Sequence, residues 1–184
     1  MSMQIYISLL RGVNMTGHNS IKMSDLTDLY KKQGFKDAET YIQSGNVVFS
    51  YAGVESESEL SQKIEKAIQG KFNYNIPVML RTIKEVQGFY SENPFLNEEK
   101  FDPARMAVIF LHEEVSESQA EKVKGVDYPP DKFKINGREI FIFCPNGFGK
   151  TKLYTIFFEN KMKVTGTARN WKTVETLLRI AANK

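Results

Sequence analysis

The chain has 184 residues, 41% hydrophobic and 26% charged, enough to bury one large core or two small ones, with no apolar run near the ~20 residues that span a bilayer. A single cysteine, Cys144, excludes an internal disulfide, and two histidines leave no metal site of the usual Cys/His spacing. Net charge is only +3, but it divides into +1 over residues 1–83, −4 over 84–144 and +6 over 145–184, which points to an anionic partner, or to a lysine-rich solvated helix face, at the C-terminal end.

The start, MSMQIYISLLRG, lacks a basic leader and a small-residue cleavage site, so no signal peptide is read and a reducing cytoplasm is expected. Residues 3–10, apolar and β-rich, predict a buried strand ending at Arg11-Gly12. A polar loop runs to Lys22. Ser24 is positioned to cap a helix with Leu26, Leu29 and Tyr30 on one face and Gly34 at its end. Two β-rich runs in TYIQSGNVVFSY flank Ser44-Gly45-Asn46, a three-residue hairpin turn. Ser56 and Glu59 form a capping box for a helix with Leu60, Ile64, Ala67 and Ile68 as its apolar stripe. Residues 76–82 add a strand. The order β-α-β-β-α-β is that of the ferredoxin-like plait, whose helices cover one face of an antiparallel sheet and leave the other for solvent, a partner or a second domain.

A short helix carrying Ile83, Val86, Phe89 and Tyr90 follows, and the pattern then repeats. Residues 105–111 predict a strand, Ser116 and Gln119 a second capping box, and KFKI and EIFIF a hairpin about Asn136-Gly137. A helix is expected from about Thr151 with Leu153, Ile156 and Phe157. A short edge strand over 163–168 and a last helix with Trp171, Val174, Leu178 and Ala181, capped by Asn170, complete the pattern. The fold class read from this is α+β, two tandem ferredoxin-like plaits with antiparallel sheets. The domains are an N-terminal unit with its short helix (1–90), a connector (91–104) and a C-terminal unit with an extra helix (105–184).

The stretches YISLLRGVN (6–14), TYIQSGNVVF (40–49), GKTKL (149–153) and RNWKTVETLL (169–178) resemble the bacterial domain-of-unknown-function family 1697. In GKTKL, Thr151 replaces that family's usual serine. The resemblance spans nearly the whole chain. It implies two ferredoxin-like subdomains and carries over no catalytic residue. Arg11, Gly12, Asn14, Gln43, Ser44, Gly45, Asn46, Lys150, Arg169, Asn170 and Trp171 fall within its motifs.

CPNGFGKTKL, residues 144–153, has half of a phosphate-cradling loop. Gly149-Lys150-Thr151 matches the end of the Walker pattern, but Cys144 stands where the first glycine must be, and an antiparallel plait is the wrong context. What remains is an anion site in which Gly147 and Gly149 admit close approach, Lys150 and Lys152 supply charge, and a helix start near Thr151 aims N–H groups at the loop. The alternative is a plain turn with Thr151 as cap. In the first loop, Arg11 can fork onto a phosphate or carboxylate, with Asn14 and Lys22 beside it; equally, Arg11 pairs within the fold and Asn14 satisfies loop backbone. Ser44 lacks a nucleophile frame and an evident base, and Cys144 reads better as a small buried hydrophobe than as a thiolate. Trp171 is either core or a stacking platform beside Arg169, Lys150 and Lys152. The basic-Gly-aromatic-Gly signature of RNA-recognition domains is absent.

The function expected is therefore that of a cytosolic binding protein for an anionic ligand, nucleic acid or a nucleotide, with no membrane partner. Its candidate site residues are Arg11, Asn14, Lys22, Gly147, Gly149, Lys150, Lys152, Arg169, Asn170 and Trp171. Arg11, Lys150 and Arg169 are expected to converge on one concave surface. The alternatives are an enzyme acting on a phosphorylated small molecule in a cleft between the units, and a protein-interaction module using an open sheet face. No catalytic constellation, metal site or cofactor motif is read, and oligomeric state stays open.

Overall fold

The structure, a computed structural model, describes residues 3–15, 17–98 and 101–184. Met1, Ser2, Thr16, Glu99 and Lys100, the last three in the first loop and the connector read from the sequence, lie outside the described residues. The chain divides into two units. One is Met1–Phe89 with Thr176–Lys184, and the other is Tyr90–Glu175, so the C-terminal residues group with the first unit rather than the second.

In the first unit the strands are β1 (Gln4–Leu10), β2 (Lys36–Tyr41), β3 (Asn46–Tyr51) and β4 (Val78–Thr82), with helices α1 (Met23–Lys32) and α2 (Glu57–Phe72). Helix α3 (Ile83–Ser91) follows β4. The second unit has strands β5 (Met106–Leu111), β6 (Lys132–Asn136), β7 (Glu139–Phe143) and β8 (Gly166–Asn170), with helices α4 (Glu117–Glu121) and α5 (Thr155–Met162). Helix α6 (Trp171–Ala182) closes the chain. The sheet orders are β2-β3-β1-β4 and β6-β7-β5-β8, every neighbour antiparallel. This is the ferredoxin-like plait twice over. Among the described residues no helix is long and apolar enough to cross a membrane.

The first core lies between its sheet and α1 and α2. Tyr6, Tyr30, Phe35 and Phe49 form an aromatic cluster there, Leu60, Ile64 and Ile68 of α2 close over it, and the buried Tyr30 hydroxyl meets Ser8 Oγ at 2.7 Å. The second core gathers Ile109, Ile140, Ile142, Leu153, Phe158 and Met162. The opposite sheet faces also carry buried side chains. Ile7, Leu9, Val48 and Met79 in the first sheet are buried, as are Val108, Phe110, Phe141 and Phe143 in the second. Burial on both faces is why the central strands read as unbroken apolar runs instead of alternating.

Several boundaries differ from the sequence reading. Helix α1 starts at Met23 with Lys22 as its cap residue, so Ser24 lies inside it; its end is as expected, with Gly34 at φ 85° and the Phe35 and Gly34 N–H groups closing on Tyr30 O and Lys31 O. The first hairpin turns over residues 42–45, with Ile42 and Gly45 at positive φ and Asn46 already in β3. The second turns at Gly137-Arg138, one residue later than Asn136-Gly137, because Asn136 and Glu139 pair directly. Both capping boxes form as read. Strand β8 is the expected edge strand, displaced to Gly166–Asn170.

Candidate functional site

Asn14 stands at φ 53° and clasps two loops: its Nδ2 donates to Ile21 O and Gln43 O, each at 2.9 Å, and its Oδ1 accepts from the Ile21 N–H at 2.8 Å. Asn19 Nδ2 donates to Gly12 O at 3.0 Å. Leu10 N–H donates to Gly45 O at 2.8 Å, and a Cβ on Gly45 would lie 2.5 Å from Val13 Cγ2. The turn is braced by Asn46, whose Nδ2 donates to Tyr41 O and Ser44 Oγ. So RGVN and QSGN, the motifs of the first two family-like stretches, are two halves of one contact. Asn14 is occupied with backbone, Arg11 is half-buried and has partners within the protein, and Lys22 is exposed at the start of α1.

In the second unit the chain leaves β7 through a short 3₁₀ turn at Phe148–Lys150 and bends again at Lys152, with Thr151 and Tyr154 in extended conformation. Helix α5 therefore starts at Thr155, four residues later than expected. The reason is local. Thr151 is buried, and its Oγ1 accepts from the Leu153 N–H at 3.1 Å, a side-chain bond that competes with helix and lets Leu153 enter the core. Thr151 is not a helix cap, and Ile156 lies exposed instead of in the stripe. Gly147, at φ 84°, sits beneath the Arg105 guanidinium, so its freedom serves packing. Gly149 is exposed with open space about it. Burial raises the Cys144 thiol to about 11, which suits an inert core group and not a thiolate nucleophile.

Lys150 and Lys152 are exposed on this loop; Lys152 Nζ lies 5.1 Å from the Tyr128 ring centre, and neither lysine has an acidic partner among the described residues. Tyr154 follows. It is 47% exposed, and its hydroxyl donates to Phe148 O at 2.9 Å, which fixes the ring's tilt over the loop. No side chain caps α5, and no acidic residue occupies its first turn. Tyr154 was missed by the sequence reading, which sought the aromatic partner in Trp171. The signal was present in the alternation Lys150-Thr151-Lys152-Leu153-Tyr154, in which the two lysines and the tyrosine are exposed and Thr151 and Leu153 are buried.

Arg169 and Trp171 do not join this surface. Arg169 is 7% exposed in β8, its Nη1 donates to Thr167 Oγ1 at 2.7 Å and Ala168 O at 2.8 Å, and burial lowers its pKa to about 10. A buried guanidinium cannot meet Arg11 and Lys150 on an exposed concave surface, so that expected convergence fails. Trp171 is 1% exposed and stacked on Tyr90, centroids 4.8 Å apart and planes 9° apart; it is core and no platform for a ligand. Asn170 caps α6, its Oδ1 accepting from the Thr173 N–H at 2.8 Å. Arg81 of the first sheet sits as Arg169 does in the second: it is 1% exposed, opposite Ile7 as Arg169 is opposite Val108, and it bonds the carbonyl of its preceding residue. Among the described residues no group of three or more His, Cys, Asp or Glu is arranged to hold a metal.

No curated protein matches the chain. Among solved structures it is similar to a conserved bacterial protein from Streptococcus pneumoniae, with a TM-score of 0.76 and 22% identity over 98% of this chain and 99% of that one, a likeness of fold. The family model described as "Protein of unknown function (DUF1697)" matches residues 3–141, and the chain belongs to that family.

Proposed function

We propose that the second unit binds an anionic ligand, with single-stranded nucleic acid or a nucleotide as the class, through Lys150, Lys152 and Tyr154. The observation that carries this reading is the loop itself: two exposed lysines without acidic partners and an exposed tyrosine held by its hydroxyl stand at a helix start that carries no cap and no acid. Paired charge and an exposed ring are what sequence-tolerant recognition of a strand requires, since phosphates take the lysines and a base stacks on the ring. The α5 start adds about 0.3–1 kcal/mol toward negative charge. Lys22, exposed at the start of α1, is the remaining candidate of the first unit, but Asp25 in the first turn there offsets its charge.

Fluorescence anisotropy with a labelled oligothymidylate and a labelled mononucleotide at low ionic strength tests this reading. Binding is expected to weaken steeply with salt. Replacing Lys150 and Lys152 together by alanine lowers affinity about tenfold and flattens the log–log salt slope by roughly 1.4, while Tyr154→Ala costs about 1–3 kcal/mol with the slope unchanged. Absence of any association by the unsubstituted protein rejects the proposal.

A further inference from the structure

We propose that the free edge of β6 accepts an extended peptide as an additional strand, and that the peptide it fits carries an acidic residue opposite Lys134 between two apolar residues. The inference starts from how the four sheet edges end. On β4, the Val78 N–H donates to Glu65 Oε1 at 2.8 Å, Val78 O accepts from Ser61 Oγ at 2.6 Å and the Thr82 N–H donates to Glu85 Oε2 at 2.8 Å. On β8, the Gly166 N–H donates to Glu159 Oε1 at 3.0 Å and Ala168 O accepts from Arg169 Nη1 at 2.8 Å. On β2, a register shift between Lys36 and Glu39 breaks the edge, and Asp37 O accepts from Lys184 Nζ at 2.6 Å. These are devices that stop an edge from pairing with another chain.

Strand β6 has none of them. Leu111 N–H donates to Arg138 O and Cys144 N–H to Arg105 O, so alternate residues of β7 from Ile140 bond β5, while Glu139, Phe141 and Phe143 bond β6. Their partners across the register are Asn136, Lys134 and Lys132. The N–H and C=O groups of Phe133 and Ile135 therefore point away from the sheet, and among the described residues they meet no partner. A groove of about 570 Å³ runs beside them, with Phe95, Val123, Val126, Phe133 and Ile135 in its lining. Phe133 and Ile135 pack on the helix-side core, so an added strand presents apolar side chains opposite them; Lys134 lies exposed on the other face, without an acidic partner among the described residues. A second copy of the chain fits less well. Antiparallel self-pairing centred on Lys134 sets that lysine against its copy, and centring on Phe133 sets Lys132 against Lys134, like charges directly opposite.

The test uses the whole protein and two short blocked peptides, one centred on Val-Glu-Val and one on Val-Lys-Val, followed by amide hydrogen exchange in NMR. The glutamate peptide is expected to slow exchange at Phe133 and Ile135 about tenfold, with Lys132 and Lys134, already bonded in the ladder, unchanged. The lysine peptide binds about fivefold more weakly, and Lys134→Glu reverses the preference. Ile135→Pro removes an outward donor without breaking a ladder bond and abolishes binding, whereas Ile135→Val retains it. The proposal is overturned by protection absent at both amides, by equal affinity for the two peptides in both Lys134 forms, or by protection that grows with protein concentration alone as the mass doubles.

Discussion

The second helix of each plait begins in opposite ways. Helix α2 is closed: Ser56 and Glu59 complete a reciprocal cap, and Glu57 and Glu59 set negative charge against the helix end. Helix α5 is left open, with Tyr154 as an uncapped start, no acid in the first turn and Lys150 and Lys152 just before it. One topology thus holds a helix start with acids in its first turn and another with none. The edges divide the same way, since β2 is bulged and tied by Lys184 while its counterpart β6 is regular and its outward backbone groups meet no partner among the described residues. A plait constrains which strands meet; it leaves loops and ends to the residues placed there.

The largest expected effect probes the part of the second unit that is core. Trp171→Ala is expected to destabilise the protein by about 3–5 kcal/mol in denaturant unfolding. The emission of this single tryptophan is expected to be blue-shifted and unmoved by oligonucleotide; a ligand-dependent quench would instead put the ring within a ligand's reach. In the first unit, Gly45→Ala meets Val13 and Leu10 at a left-handed φ of 74° and is expected to cost about 2–3 kcal/mol. Gly34→Ala, at φ 85° with nothing within 4 Å, isolates the backbone cost at about 1 kcal/mol. Equal losses at the two glycines would remove the claim that RGVN and QSGN are packed halves of one contact.

Smaller effects exchange the helix starts. Ser56→Ala opens α2 and costs about 1 kcal/mol. Thr155→Asp closes α5, adds about 0.3–1 kcal/mol of stability and weakens oligonucleotide binding. Stability and binding moving in the same direction would break the contrast between the units. One further effect appears only at high pH. Burial raises the Cys144 thiol from 9.0 to about 11, so its contribution is fully present below the unfolded value and is lost as pH climbs through the folded one. A drop in stability above pH 9.0 that Cys144→Ala lacks is the expected reading.

Short-range chemistry was legible. Both capping boxes, the Gly34 helix end and the Asn170 cap formed as the residues dictate, since each depends on groups three or four positions apart. The start of α5 was not. Glycine, lysine and threonine at 149–151 suit a helix start as well as a turn, and burial of Thr151 and Leu153 decided for the turn. The candidate site followed that shift. Lys150 and Lys152 stayed at the surface, Arg169 went inside, Trp171 took the core place that was one of its two readings, and Tyr154 is the exposed ring of this loop.

By itself, the amino-acid order determined two βαββαβ repeats, because hydrophobic period, turn residues and caps are local and agree with one another. Tertiary structure alone decided which charged and aromatic side chains reach solvent. Arg169 and Lys150 are both basic residues of the C-terminal segment, and only their places in the tertiary structure, a sheet strand for the first and a loop for the second, which no local pattern encodes, bury the one and leave the other exposed.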